Sequence, residues 1–225
     1  MTWLVLFDVD GTLLLTHDEV YVEASRIAMR EIFGEARDGP DVPGDTASAH
    51  VRRALEAAGA DPATIDTGLP RWCALFSARY VEFLARADTS HWQLAPYAKD
   101  AVAGLEQHAL LTGNPPAVAH ARMDRLGIGA LFERGQGAFG CERERRVDLF
   151  GLARERAGGW PAERTVAVGD TPLDVSSAHA AGCRCVGVTT GRFRQDELRD
   201  ADAVIGDLSE LTAALESLRL NGRAE

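Results

Sequence analysis

The apolar run Trp3-Leu4-Val5-Leu6-Phe7 passes straight into Asp8-Val9-Asp10-Gly11-Thr12. A continuous apolar stretch of this length reads as a strand covered on both faces, the kind found in parallel α/β sheets. Two carboxylates, separated by a single residue, then emerge at its carboxyl end. In doubly wound sheets the crevice beyond the carboxyl ends of the strands is where ligands bind. An ordinary Asp-Gly turn could produce the same pentapeptide, so the decision rests on the remainder of the chain.

Three later segments bear on it. Leu110-Leu111-Thr112-Gly113-Asn114 again carries an apolar run into polar residues. Arg143-Glu144-Arg145-Arg146 leads into a helical pattern from Val147 to Ala157. Thr165-Val166-Ala167-Val168 runs into Gly169-Asp170-Thr171-Pro172-Leu173-Asp174. An aspartate pair, a threonine, a basic residue and a second acidic pair, in that order, resemble the haloacid dehalogenase superfamily of phosphohydrolases. The resemblance extends from Trp3 to about Gly206 and is closest to the phosphoglycolate-phosphatase-like branch with a helical cap. It implies an α/β fold with a doubly wound, Rossmann-like parallel sheet and an inserted helical cap domain.

The pattern along the chain agrees. Asp18 is placed to cap a helix through Val20, Ala24, Ile27, Ala28 and Ile32, with Gly34 as its stop. A Gly/Pro/Asp-rich loop, Asp38 to Asp45, precedes a helix from about Ala47 to Ala58 and another from about Pro70 to Ala87. Residues 17–92 therefore read as a helical cap inserted into an α/β core of residues 1–16 and 93–225. In the second core segment a helix near 98–106 precedes a strand at 108–112, and a helix near 115–126 follows it. Strands at 165–168, 184–188 and 203–205 alternate with further helices. Residues 221–225 are expected to fray.

The chemistry follows from what a phosphate monoester demands. A carboxylate attacking it meets like charge, and two unit charges 4 Å apart repel by about 4 kcal/mol at an effective dielectric of 20. Cations must offset this. Asp8, Asp170 and Asp174 offer oxygens for Mg²⁺. The resemblance implies that Asp8 is the nucleophile, forming an aspartyl-phosphate, and that Asp10 adds its backbone carbonyl to the metal. Asp10 is also expected to act as general acid and base, protonating the leaving alcohol and then activating water. Thr112, with the amides around Gly113 and Asn114, offers hydrogen bonds to phosphate oxygens. Family members usually carry a lysine as the basic residue. Only Lys99 is lysine among 24 basic residues, so Arg146 is chosen, with Arg143 and Arg145 as alternatives. A helix-capping role for Asp174 is the competing reading at that position.

Composition limits the partners. A formal net charge of −10 argues against nonspecific nucleic-acid binding. It leaves room for a phosphorylated small molecule held by local cations, since distant charges are screened. No apolar stretch reaches the length of a membrane span, and no signal peptide is evident, so a cytoplasmic protein is expected. Cys73, Cys141, Cys183 and Cys185 lack zinc-type spacing and read as buried thiols, with Cys183 and Cys185 on one face of a strand. The expected activity is Mg²⁺-dependent hydrolysis of a small phosphorylated metabolite. A sugar phosphomutase and a noncatalytic phospholigand-binding protein are the alternatives. Asp45 stands where a basic residue is often seen in the family, which counts against carrying over phosphoglycolate as substrate. Oligomeric state has no signature in the chain.

Overall fold

The computed structural model describes residues 2–221. Its core is a six-stranded parallel sheet built from β1 (Leu4–Phe7), β2 (His108–Thr112), β3 (Ala138–Phe139), β4 (Thr165–Gly169), β5 (Arg184–Val188) and β6 (Ala203–Ile205), in the spatial order β3-β2-β1-β4-β5-β6. β1 lies between β2 and β4, pairing Phe7 with Leu110 on one side and with Val168 on the other. Alternate residues feed two apolar layers. Val5, Phe7, Leu110, Val166, Val168, Val186 and Val188 face one layer, and Leu4, Leu6, Ala109, Leu111, Ala167 and Cys185 face the other. Helices cover both: α5 (Pro116–Arg125) and α8 (Leu211–Asn221) close the first, α6 (Arg146–Arg156) and α7 (Pro172–Ala180) the second. This double cover is why the strands read as continuous apolar runs.

The helical insert between β1 and β2 comprises α1 (Glu19–Phe33), α2 (Ala47–Ala57) and α3 (Pro62–Leu84) and is followed by the short α4 (Ala98–Ala103). Asp18 caps α1 by accepting from the Tyr21 amide at 3.1 Å, and Gly34 ends it at a φ of 80° that glycine adopts without strain. Ala24, Ala28, Val51, Leu55, Ile65, Trp72, Phe76 and Tyr80 form the insert's own apolar core. The two chain segments that connect the insert to the sheet run side by side: Leu15 donates to the Gln93 carbonyl, and Ala95 donates to that of Leu13, each at 2.9 Å.

Three features differ from the sequence reading. α3 begins at Pro62, behind an Asp61 cap, and carries Pro70 in its interior. A proline there removes one backbone hydrogen bond, but the helix is held by packing on α1, where Gly68 lies so close to the Phe33 ring that a Cβ would collide with it. The edge strand β3 was not expected, because two residues carry no periodicity. Cys73 and Cys141 are not buried thiols. They form a disulfide with Cα atoms 6.0 Å apart, linking α3 to the segment after β3, a proximity created by the packing of the insert on the core and invisible at a sequence separation of 68. Cys183 and Cys185 are buried free thiols in the same apolar layer. The fraying expected past Asn221 lies outside the described residues. Among the described residues no helix is long and apolar enough to cross a membrane.

Candidate active site

Three neighbouring strands deliver the polar groups. β1 ends at Phe7 and presents Asp8, β2 ends at Thr112, and β4 ends at Gly169 and presents Asp170. The order reverses at β1, since the chain passes first to β2 on one side and later to β4 on the other. That is the geometry of a switch-point crevice. A cavity of about 290 Å³ opens there, lined among others by Asp8, Asp10, Thr112, Gly113, Asn114 and Arg146. Asp170 borders the adjoining cleft with Asp10 and Gly11.

Asp8, Asp170 and Asp174 are buried, and each offers one carboxylate oxygen, all within 4.8 Å of one another. Gly11 and Gly191 form a cradle for Asp170, because a Cβ on either would collide with its Oδ2. Gly169 in the same way admits Asp174. Burial pushes the Asp8 carboxyl up to about 6, a rise opposed by Arg146 and reinforced by Asp174 and Asp10. Asp170 is pushed up to about 8, chiefly by burial and then by Asp8 and Asp174. Three carboxylates crowded into one buried space suit a hard cation, which prefers oxygen donors. The cluster could hold a metal ion.

Arg146, the first residue of α6, sits in this cluster with 2% of its side chain exposed. Its Nη2 lies 3.2 Å from Asp8 and 2.5 Å from Asp174, and Nη1 donates to the Gly44 carbonyl at 2.5 Å. Burial alone would lower its pKa, yet Asp174 and Asp8 hold it above the ordinary arginine value. The alternatives do not enter. Arg143 donates outward to the Glu142 carbonyl, and the Arg145 side chain is 76% exposed. Asp174 also serves its helix: Oδ2 accepts from the Thr171 amide and hydroxyl at 3.0 and 2.7 Å, completing a capping box.

Asp10 is set apart. Its carboxylate is 56% exposed and does not join the buried cluster. Instead it accepts from Asn114 Nδ2 at 2.7 Å and from Arg122 Nη1 at 3.0 Å to both oxygens. Asn114 Nδ2 also reaches Thr112 Oγ1 at 2.8 Å, so the hydroxyl accepts there and keeps its own proton for another acceptor. The Asn114 side chain is thus committed to Asp10 and Thr112, while Gly113 packs under the Asp45 carbonyl so closely that no Cβ would fit.

Arg122 was missed by sequence reasoning. It is a buried arginine on α5 that spans the two parts of the molecule. Besides Asp10 and the Asn114 carbonyl oxygen at 3.1 Å, it meets Asp18 through Nη2 at 2.8 Å and through Nε at 2.9 Å. Tyr80 donates its hydroxyl to the same Asp18 oxygen at 2.7 Å, and the Arg122 guanidinium lies 4.8 Å from the centre of the Tyr21 ring. Asp18 is therefore both the α1 cap and half of a buried ion pair. An arginine in the last turn of a helix carries no mark of such a role in the sequence.

With this geometry in place, the chain can be set beside known proteins. It belongs to the haloacid dehalogenase-like hydrolases, whose family model matches residues 4–182. It is similar to a phosphoglycolate phosphatase of Pseudomonas putida, 29% identical over 222 residues that span 92% of this chain and 78% of that relative. Its fold is similar to CbbY from Rhodobacter sphaeroides, solved in complex with phosphate, with a TM-score of 0.67 and 22% identity over 96% of this chain and 100% of the other. It is similar as well to β-phosphoglucomutase from Clostridium difficile, with a TM-score of 0.65 and 14% identity over 98% and 100% of the two chains. The chain is a hydrolase of the phosphatase-like kind, and the buried Asp8, Asp170 and Asp174 cluster fits the active site of that family.

Proposed function

We propose that this hydrolase is a Mg²⁺-dependent phosphatase that cleaves a small phosphorylated metabolite through an aspartyl-phosphate on Asp8. The observation that carries the reading is the meeting of Asp8, Asp170, Asp174 and Arg146 at one buried point beside a cavity of about 290 Å³. The volume suits a compact ligand better than a macromolecule.

Asp8 attacks phosphorus as the bond to the leaving oxygen breaks, and Asp10 gives that oxygen its proton. Asp10 then takes a proton from water, which attacks the acyl phosphate, releases inorganic phosphate and restores Asp8. Thr112 donates its free hydroxyl proton, and the amides at Gly113 and Asn114 donate to the remaining phosphate oxygens. Arg146 keeps the nucleophile in place and adds positive charge beside the phosphate. Asp8, Asp170, Asp174 and the Asp10 backbone carbonyl would hold Mg²⁺, which supplies electrostatic neutralisation of the transferring group. Residues 17–92 act as the cap over a core of 1–16 and 93–225, and closure would exclude water from the reacting centre. We retain the cytoplasmic setting. There the Cys73–Cys141 bridge meets a reducing medium and forms only under oxidation.

Phosphate release should be measured over a panel of phosphorylated acids, sugars, alcohols and phosphopeptides, with Mg²⁺ and with excess chelator. Release from small esters that chelation abolishes, with little from phosphopeptides, is expected. Undiminished turnover in chelator contradicts the metal role. Isomerised sugar phosphate without phosphate release establishes a mutase, and binding with neither reaction establishes a noncatalytic protein.

A further inference from the structure

The cavity beside Asp8 is lined by two arginines, and each is already placed between two carboxylates. Arg146 lies 3.2 Å from Asp8 and 2.5 Å from Asp174, and Arg122 lies 3.0 Å from Asp10 and 2.8 Å from Asp18. The wall contributed by the insert and its approach consists of His17, Asp18, Tyr21, Val22, Gly44 and Asp45. Burial raises the Tyr21 phenol pKa, so it stays neutral. Asp45 pairs with Arg53, which stands outside the lining. The phosphate has Arg146 and the metal cluster to receive it. A second anionic group on the same substrate finds no arginine or lysine free of carboxylate partners, and on the leaving-group side Asp10, Asp18 and Asp45 outnumber Arg122 among the lining residues. What this wall does offer is the Tyr21 phenol, the His17 imidazole and the Asp45 carboxylate, groups that hydrogen-bond to hydroxyls.

We propose that the leaving-group side of this cavity selects phosphate esters of uncharged, hydroxyl-bearing alcohols and rejects esters that carry a second anion, carboxylates included. The inference rests on the phosphatase reading above and goes beyond it by naming the substrate class. It also separates this chain from what the name of its Pseudomonas relative says that protein acts on. Specificity of this kind is a difference of two affinities, produced here by carboxylates set against the wrong ligand.

A matched pair tests it: phosphoglycolate and ethylene glycol monophosphate have the same length and differ in a carboxylate against a hydroxymethyl group. Their kcat/KM values should be compared with Mg²⁺ at pH 8, where imidazole side chains are ordinarily uncharged, with nitrophenyl phosphate as a control for hydrolysis. The glycol ester should be favoured by about tenfold or more, a difference in transition-state binding of the size one repelled charge produces. Asp45→Asn should narrow that ratio. Equal or better turnover of phosphoglycolate, with nitrophenyl phosphate hydrolysed, overturns the substrate class and leaves the phosphatase reading standing. Failure to hydrolyse any of the three overturns both.

Discussion

Arg146 and Arg122 are equally buried and equally hemmed in by acid, yet they hold different things together. Both acidic partners of Arg146, Asp8 and Asp174, belong to the core, and they are positioned by the end of β1 and the first turn of α7. Arg122 reaches Asp10 on the core and Asp18 and Tyr80 on the helical insert. The proposed nucleophile is thus held by a cation whose carboxylate partners lie in one body and which touches the insert at the Gly44 backbone carbonyl, whereas the cation that holds the proposed general acid also pairs with a carboxylate of the insert. Movement of the insert would reach Asp10 through the Arg122–Asp18 ion pair and Asp8 through the Gly44 contact of Arg146. In the proposed mechanism proton transfer is therefore tied to the insert by an ion pair, and nucleophile placement by a hydrogen bond to a backbone carbonyl.

The comparison breaks first at Arg146. Arg146→Ala leaves Asp8 and Asp174 buried without their cation, and kcat/KM should fall by about 10² to 10³, the range found when one charge-stabilising donor is removed. Arg143→Ala and Arg145→Ala should stay near wild type. Steady-state kinetics on one substrate checks the ranking, and a reversed order would move the phosphate cation to another arginine.

Arg122 should show a smaller and more selective loss. Arg122→Lys keeps the charge and gives up the fork that spans Asp10 and Asp18. A fall of about tenfold is expected on alkyl phosphates, a part of the 10² to 10⁴ that a general acid contributes. Nitrophenyl phosphate, whose leaving group needs little protonation, should suffer less. Equal losses on both would detach Arg122 from acid catalysis and leave it a purely structural tie.

The Cys73–Cys141 bridge also joins insert and core, and does so covalently. In oxidised protein Cys73→Ser should lower stability by about 2–4 kcal/mol in denaturant unfolding, with kcat reduced less than by Arg122→Lys. A larger kinetic loss from the serine variant would make the bridge, and not Arg122, the contact that sets the position of the insert.

Metal binding at the proposed site should separate the two arginine networks by pH. In the metal-free protein Asp8 and Asp170 are raised from 3.8 to about 6 and about 8. Folding therefore favours their protonated forms, and metal-free stability is lost as pH rises from the ordinary carboxylate value through those two. Mg²⁺ bound by the cluster would remove that penalty, so the rise in Tm it produces should be larger at pH 8 than at pH 5. An equal rise at both would mean that the cation binds elsewhere.

Much of the core network was legible. Asp8, Thr112 and Asp170 lie where apolar runs stop, and a parallel sheet must bring such stops to one edge. Arg146 was legible only as one of three, because charge runs before a helix look alike until burial separates them. Nothing marked Arg122. Its neighbours Ala119, Ala121 and Met123 give α5 an ordinary pattern, and only the insert's placement of Asp18 and Tyr80 turns a helix arginine into a buried hub. The long-range disulfide and the approach of Gly44 and Asp45 to the site belong to the same class of fact. They depend on how the insert seats on the core, which local propensity does not encode.

Attack by Asp8 is the central step of the proposed reaction. Wild-type protein turning over with Mg²⁺ should be quenched in acid and mapped for a phosphoryl group, beside Asp10→Asn, which slows hydrolysis of the acyl phosphate. The phosphoryl group is predicted on the peptide containing Asp8, at higher occupancy in Asp10→Asn, with none formed and turnover lost by about 10⁴ or more in Asp8→Asn. A phosphoryl group on another residue, or phosphate release from Asp8→Asn at the wild-type rate, would contradict it.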